Sequence, residues 1–242
     1  MARSSRSSRS AAGSTRRRST NARWRASSEA ARSTHFSYEV VALSPRCAAE
    51  MGYTLSEEDA RKPYVEVSGR KGQGVKADDL LDRLETAARA EVDERHAAAP
   101  EAERAAIAHC IAIGALRYFL LKFTRTAIIA FDFRDALSFD GETGPYCQYA
   151  VVRARNIFRK AAEQQSDFRA ESLDQPGDAA AMAELLKGPA GDDVWGLVLL
   201  AGSLDYSVAA AVAVQEPAFI AKYAFELSQA FNLFYHHHHI LS

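Results

Sequence analysis

From Asp78 to the end of the chain, apolar residues recur every three or four positions in long runs, and that rhythm commits most of the molecule to packed helices. Leu80, Leu81, Leu84, Ala88 and Val92 form the first stripe, with Asp78 placed as an N-cap. After Pro100 the spacing resumes through Ile107, Cys110, Ile111, Gly114, Tyr118 and Leu121. Further helices are expected from Tyr146 to about Gln164, over about 192–214, and over 217–239, where Pro217 starts the last one. Before residue 78 the pattern is different. Phe36-Ser-Tyr-Glu-Val-Val-Ala-Leu43, ended by Ser44-Pro45, and Tyr64-Val-Glu-Val-Ser68 read as strands. The apolar stretch 127–133 reads as an irregular break between helices. The expected fold is mostly α: a helical bundle preceded by a scrap of α/β structure.

Composition separates off a third piece. Residues 1–34 hold nine Arg, ten Ser, three Thr and a single acid, Glu29, a net charge of +8. The remaining residues carry −9, so the formal −1 of the whole chain averages two unlike parts. Met1 and Trp24 are the only large apolar side chains in that start, too few to offset the entropy of ordering it, and disorder is expected there. A functionless extension is the leading reading, with an organellar transit peptide or a nucleic-acid-binding tail as alternatives. Three widely spaced cysteines, Cys47, Cys110 and Cys147, argue for a reducing compartment and against a disulfide framework. No run approaches 18 consecutive apolar residues, so no membrane span or membrane partner is expected.

Four stretches have residue types suited to chemistry. Gly69-Arg-Lys-Gly-Gln-Gly-Val-Lys76 places three glycines and three cations between a strand and a helix. Such a loop lets backbone N–H groups approach a phosphate, although a solvated turn has the same composition, and neither a P-loop nor a dinucleotide fingerprint is present. The run His236 to His239 offers only His236 with His239 as a helical chelating pair, with no third ligand at suitable spacing, and no metal is expected. On the last helix Phe225, Gln229, Asn232, His236 and His239 share a polar, aromatic face suited to unpaired bases; packing against another helix would explain it equally well. Arg153, Arg155, Arg159 and Lys160 cluster on the helix 146–164, and Arg155 and Arg159, four apart, could meet phosphates. The acidic balance of 35–242 leaves room only for local basic patches. No nucleophilic triad or carboxylate pair emerges.

Gly141-Glu-Thr-Gly-Pro-Tyr-Cys-Gln-Tyr-Ala-Val-Val-Arg153 closely resembles the segment that opens the helical tRNA-binding domain of arginyl-tRNA synthetases. Three more stretches match in the same order: Tyr64 through Asp82 resembles the family's lysine-containing class I signature loop, Ile113 through Asp132 the following connection, and Ala230-Phe-Asn-Leu-Phe-Tyr-His236 the core helix of the anticodon-binding domain. Cys147 stands where the family usually has Leu. No histidine is followed by x-Gly-His, the element of the family's nucleotide-binding half.

The resemblance implies a class I arginine–tRNA ligase, which uses ATP with Mg to join arginine to tRNA, represented here by a piece that would not catalyse alone. Its domains would be a tail at 1–34, a remnant of a Rossmann-like catalytic domain at 35–96, and a C-terminally truncated anticodon-binding domain at 97–242. Lys71 would be the signature-loop lysine that neutralises the pyrophosphate leaving group, with Gly69, Arg70, Gly72 and Lys76 around the phosphates. Arg153, Arg155, Arg159, Asn232, Tyr235, His236 and His239 would face tRNA, and Tyr146, Gln148 and Tyr149 would be structural or tRNA-facing. A cytoplasmic monomer is expected. The alternatives are a tRNA-binding module without chemistry and a nonfunctional gene remnant.

Overall fold

Leu84, Ala88 and Val92 sit four residues apart on one helix, and burying that stripe sets the layout of the first half of the molecule. The computed structural model describes residues 35–66, 75–164 and 179–240. Residues 1–38 and 39–242 cluster as separate units. In chain order the second contains β1 (Val41–Leu43), α1 (Pro45–Glu50), α2 (Glu57–Ala60), α3 (Ala77–Arg95), α4 (Glu101–Leu121), β2 (Ile129–Phe131), α5 (Phe133–Leu137), α6 (Gly144–Gln164), α7 (Ala179–Lys187), α8 (Gly191–Gly202), α9 (Leu204–Val214) and α10 (Ala218–His237).

The buried stripe of α3 meets Ala108, Ala112 and Phe119 of α4. Small residues there let the two backbones approach closely. Arg89, Asp93, Glu101 and Arg104 bind the hairpin at its turn, through contacts of 2.5 to 2.8 Å. The same core takes in Leu43, Cys47, Ala48, Phe131, Phe133 and Ala136. Residues on both sides of position 97 therefore share one core. Phe119, Phe123, Phe131 and Phe133 stack edge to face, with centroids 5.1 to 5.5 Å apart.

β1 and β2 pair in parallel, Val41 with Ile129 and Leu43 with Phe131, across a connection long enough to include four helices. Asp132 then caps α5 by accepting from the N–H groups of Arg134 and Asp135 at 2.9 and 3.3 Å. Its carboxylate also receives the Ser44 hydroxyl and the Arg46 guanidinium, which pins the start of α1 to the start of α5.

The second half hangs on α6. Thr143 caps that helix: its Oγ1 accepts from the Tyr146 N–H at 3.3 Å and donates to the Ser138 carbonyl at 2.6 Å. Gly144 and Gly114 let α6 and α4 touch backbone to backbone, since a Cβ on Gly144 would lie 2.6 Å from the Gly114 carbonyl oxygen. Beside that crossing, Gln148 donates through Nε2 to the Cys110 carbonyl at 3.0 Å. α10 packs on α6, α8 and α9. Tyr118 ties it to α4 by donating to the Ala221 carbonyl, and its own Tyr223 donates to the Ala201 carbonyl of α8.

Several expectations are corrected here. The strand expected over 36–43 is confined to 41–43, because only those residues find a partner strand. The strand expected over 64–68 amounts to a single antiparallel bridge between Val65 and Leu43, with Val67 and Ser68 outside the described residues. The apolar stretch at 127–133 contains β2. Lys76 holds the N-cap position of the first long helix without a capping side-chain bond, and Asp78 lies inside the first turn. The helix expected over 192–214 is broken at Ser203, which closes α8 and opens α9. α7 forms over 179–187, a segment to which the apolar spacing assigns no helix. The last helix ends at His237.

A count of consecutive apolar residues passes over two helices. Glu101–Leu121 and Gly191–Val214 are long and apolar enough, by length and composition, to cross a membrane. Counting uninterrupted apolar residues misses both because a few polar residues punctuate them. The first buries Ala108, Ala112, Ala115 and Phe119 against its neighbours. The second leaves Trp195, Leu199, Tyr206 and Val212 exposed, and among its residues only Gly191 and Ala211 are buried.

Candidate nucleic-acid interface

Arg153, on the third turn of α6, is the centre of the site. Its guanidinium lies 4.3 Å from the ring centroid of Tyr149, one turn back, and 5.0 Å from that of Tyr235 on α10. Its Nη1 donates to Asn232 Oδ1 at 3.0 Å. Asn232 is only 8% exposed, so it braces the arginine from behind. A flat cation held between two phenol rings keeps its orientation without losing charge, which suits phosphate or a base face.

Two clefts flank this sandwich. One, of about 490 Å³, is lined by Arg95, Phe139, Asp140, Tyr146, Tyr149, Arg153 and Asn232. The other, of about 320 Å³, lies between the ends of α6 and α10 and includes Asn156, Lys160, Tyr235, His236 and His239. His236 and His239 are exposed. His239 lies beyond the end of α10, so the helical spacing with His236 does not apply to it. His238 is held instead, its Nε2 2.7 Å from Asp193 Oδ2 and its ring 4.8 Å from that of Phe234.

Arg155 and Arg159 are exposed on α6. Arg159 is engaged by Glu163 at 2.6 Å and by Asn156, so its charge is partly matched within the helix. Phe225, on the face of α10 expected to be polar, packs against Tyr146 at 5.4 Å. Packing therefore accounts for Phe225 and buried Asn232, while Gln229, His236 and His239 of that face are exposed. Gly69, Arg70, Lys71 and Gly72 lie outside the described residues. Lys76 is exposed at the start of α3. A cleft of about 590 Å³, lined by Tyr53, Leu55, Asp59, Lys62, Tyr64 and Glu66, lies beside the segment that leads into that loop.

Sequence reasoning missed Arg95 and Phe139. The Arg95 guanidinium sits 5.1 Å above the Phe139 ring, but the two are separated by two helices and a strand, and neither forms part of a periodic stripe. An unpaired phenylalanine in the polar turn Ser138-Phe-Asp140 is the only local signal.

Residues 147–242 match the DALR anticodon binding domain family. The chain is 29% identical over 219 residues to an arginine–tRNA ligase of Limosilactobacillus fermentum, covering 88% of this chain and 35% of that protein. It is 34% identical to an arginine–tRNA ligase of Clostridium perfringens, covering 73% of this chain and 28% of the relative. It thus spans about a third of the length of these relatives. The arginyl-tRNA synthetase structure from Thermus thermophilus superposes with a TM-score of 0.54 at 29% identity, over 69% of this chain and 25% of that one. The Plasmodium falciparum arginyl-tRNA synthetase shares the fold, with a TM-score of 0.55 at 22% identity over 69% of this chain and 28% of that one. The chain is therefore a relative of arginine–tRNA ligases that matches their C-terminal region, with the match to the DALR anticodon binding domain family over residues 147–242.

Proposed function

We propose that this chain supplies the tRNA-holding part of an arginine–tRNA ligase, in which α6 and the lower end of α10 receive the anticodon loop. One observation carries the reading: within the DALR match, Arg153 is fixed between Tyr149 and Tyr235 and braced by buried Asn232. Held rings and a held guanidinium bind unpaired bases and phosphates without first paying to order those side chains. His236, His239 and Lys160 extend the same surface toward the end of α6, while Arg155 and Arg159 add charge on its flank.

In the whole ligase, arginine and ATP with Mg would be the other substrates. Lys71 would face the pyrophosphate leaving group, with Gly69, Arg70, Gly72 and Lys76 beside it, as the signature loop of the family requires. Fixed cations at that point stabilise charge as it develops. The sequence carries no His-x-Gly-His element, so the chain is proposed to bind tRNA without catalysing arginylation by itself, as a cytoplasmic monomer.

The test is a fluorescence-anisotropy titration of the chain with an arginine-accepting tRNA transcript, alongside a transcript with a changed anticodon. Binding should depend on the anticodon, and Tyr235→Ala should weaken it by about 1–3 kcal/mol, the usual loss for one base stack. Indifference to both changes would remove the proposal.

A further inference from the structure

The cleft opposite Tyr235 has a composition that the anticodon-facing residues do not account for. It is formed where three separate parts of the chain meet: Arg95 at the last residue of α3, Phe139 and Asp140 after α5, and Tyr149 with Arg153 on α6. Two guanidinium–ring pairs line it, Arg95 on Phe139 at 5.1 Å and Arg153 on Tyr149 at 4.3 Å. Phe139 is 40% and Tyr149 44% exposed, so a broad aromatic surface faces water beside two cations. Arg95 donates through Nη2 to Glu91 Oε2 on its own helix at 2.9 Å, which fixes the guanidinium and partly matches its charge, as Glu163 does for Arg159, while more than half of the Arg95 side chain stays exposed.

We propose that this cleft is a second RNA subsite, which takes one unpaired nucleotide with its base against Phe139 and its phosphate on Arg95 and Arg153. The inference rests on the tRNA-binding reading above and extends it to α3 and the turn after α5. A volume of about 490 Å³ accommodates a nucleotide. Every base offers a flat face to an aromatic ring, and stacking needs no particular sequence. Asp140, the one carboxylate of the lining, repels phosphate and accepts N–H donors, so a base turns its donor edge toward Asp140 and its backbone toward the guanidinium groups. Arg153 belongs to both clefts through Tyr149 and Tyr235, and a strand crossing α6 there would engage the two subsites with consecutive or nearby nucleotides.

Anisotropy titrations of the full chain with the arginine-accepting tRNA transcript test this, using Phe139→Leu and Arg95→Gln. Leucine keeps the apolar bulk and removes the aromatic face, and thermal melts of both variants check that the fold is retained. Phe139→Leu should weaken binding by roughly five- to 150-fold, the range of one lost stack. Arg95→Gln should lower the slope of log affinity against log salt by about 1, as expected when one phosphate contact is lost. Should Phe139→Leu fail to fold, the Arg95→Gln slope decides alone. Tight binding unchanged in both variants overturns the subsite and leaves the Tyr235 surface standing. No binding by the unaltered chain overturns the parent reading and the subsite together.

Discussion

Asp132 is among the most deeply buried polar residues described, 2% exposed, yet it is held ionised. Burial alone would raise its pKa; the bonds from Arg46, from the Ser44 hydroxyl and from the Asp135 and Arg134 N–H groups outweigh that and hold the carboxyl below the usual range. A depressed native pKa adds stability above the unfolded value of about 4, and that stability is lost as pH falls through the native one. Unfolding by urea at a series of pH values should therefore show stability dropping below about pH 4. Asp132→Asn should flatten that drop and cost about 2 kcal/mol at neutral pH through its weakened bonds. A variant with the same acid slope as the parent would show that other carboxylates dominate. Cys47 nearby is buried and its thiol is pushed up to about 12, which makes it a packing residue, whereas Cys110 is exposed. None of this is visible in the sequence, because Ser44, Arg46 and Asp132 are brought together only by the pairing of β1 with β2.

At the scale of elements, the crossing of α4 and α6 sets the geometry of the interface, since it fixes where Tyr149 and Arg153 emerge. Gly144→Ala should push the helices apart and cost about 1–3 kcal/mol in chemical denaturation, as overpacking does. A neutral effect would mean that α6 can slide without penalty. The long helices are legible because their apolar stripes run for many turns, and the start expected at Tyr146 lies two residues from the observed start of α6 at Gly144. The short elements are not. A three-residue strand has too little length for a period to register, and the pairing of Ile129 with Val41 is a fact of tertiary structure. The break at Ser203 is marked only by Gly202 inside a long apolar run, one residue too few to divide the pattern; the Ser203 hydroxyl donates back to the Leu200 carbonyl at 2.7 Å.

At the scale of the whole molecule, the α/β beginning and the helical remainder were readable, and resemblance brought together the residues that meet around Arg153. Tyr235 and Asn232 lie on α10 and Arg153 on α6, and the structure unites them. Asn232, expected to face RNA, supports Arg153 from within, because its place on α10 turns it toward α6. The Arg95 and Phe139 half of the adjoining cleft escaped sequence reasoning, since no spacing rule links the end of one helix to a turn more than forty residues later.

The outward faces of α8 and α9 have a consequence for handling the protein. Tyr206 is 78% and Val212 71% exposed, with Trp195 and Leu199 on the same pair of helices. Oily surface of this kind attracts its like more strongly as water warms. Preparations should cloud on gentle heating well below unfolding, clear again on cooling, and brighten an apolar dye while still fully folded. A clear, dye-silent solution at those temperatures would mean that this ridge is shielded in solution.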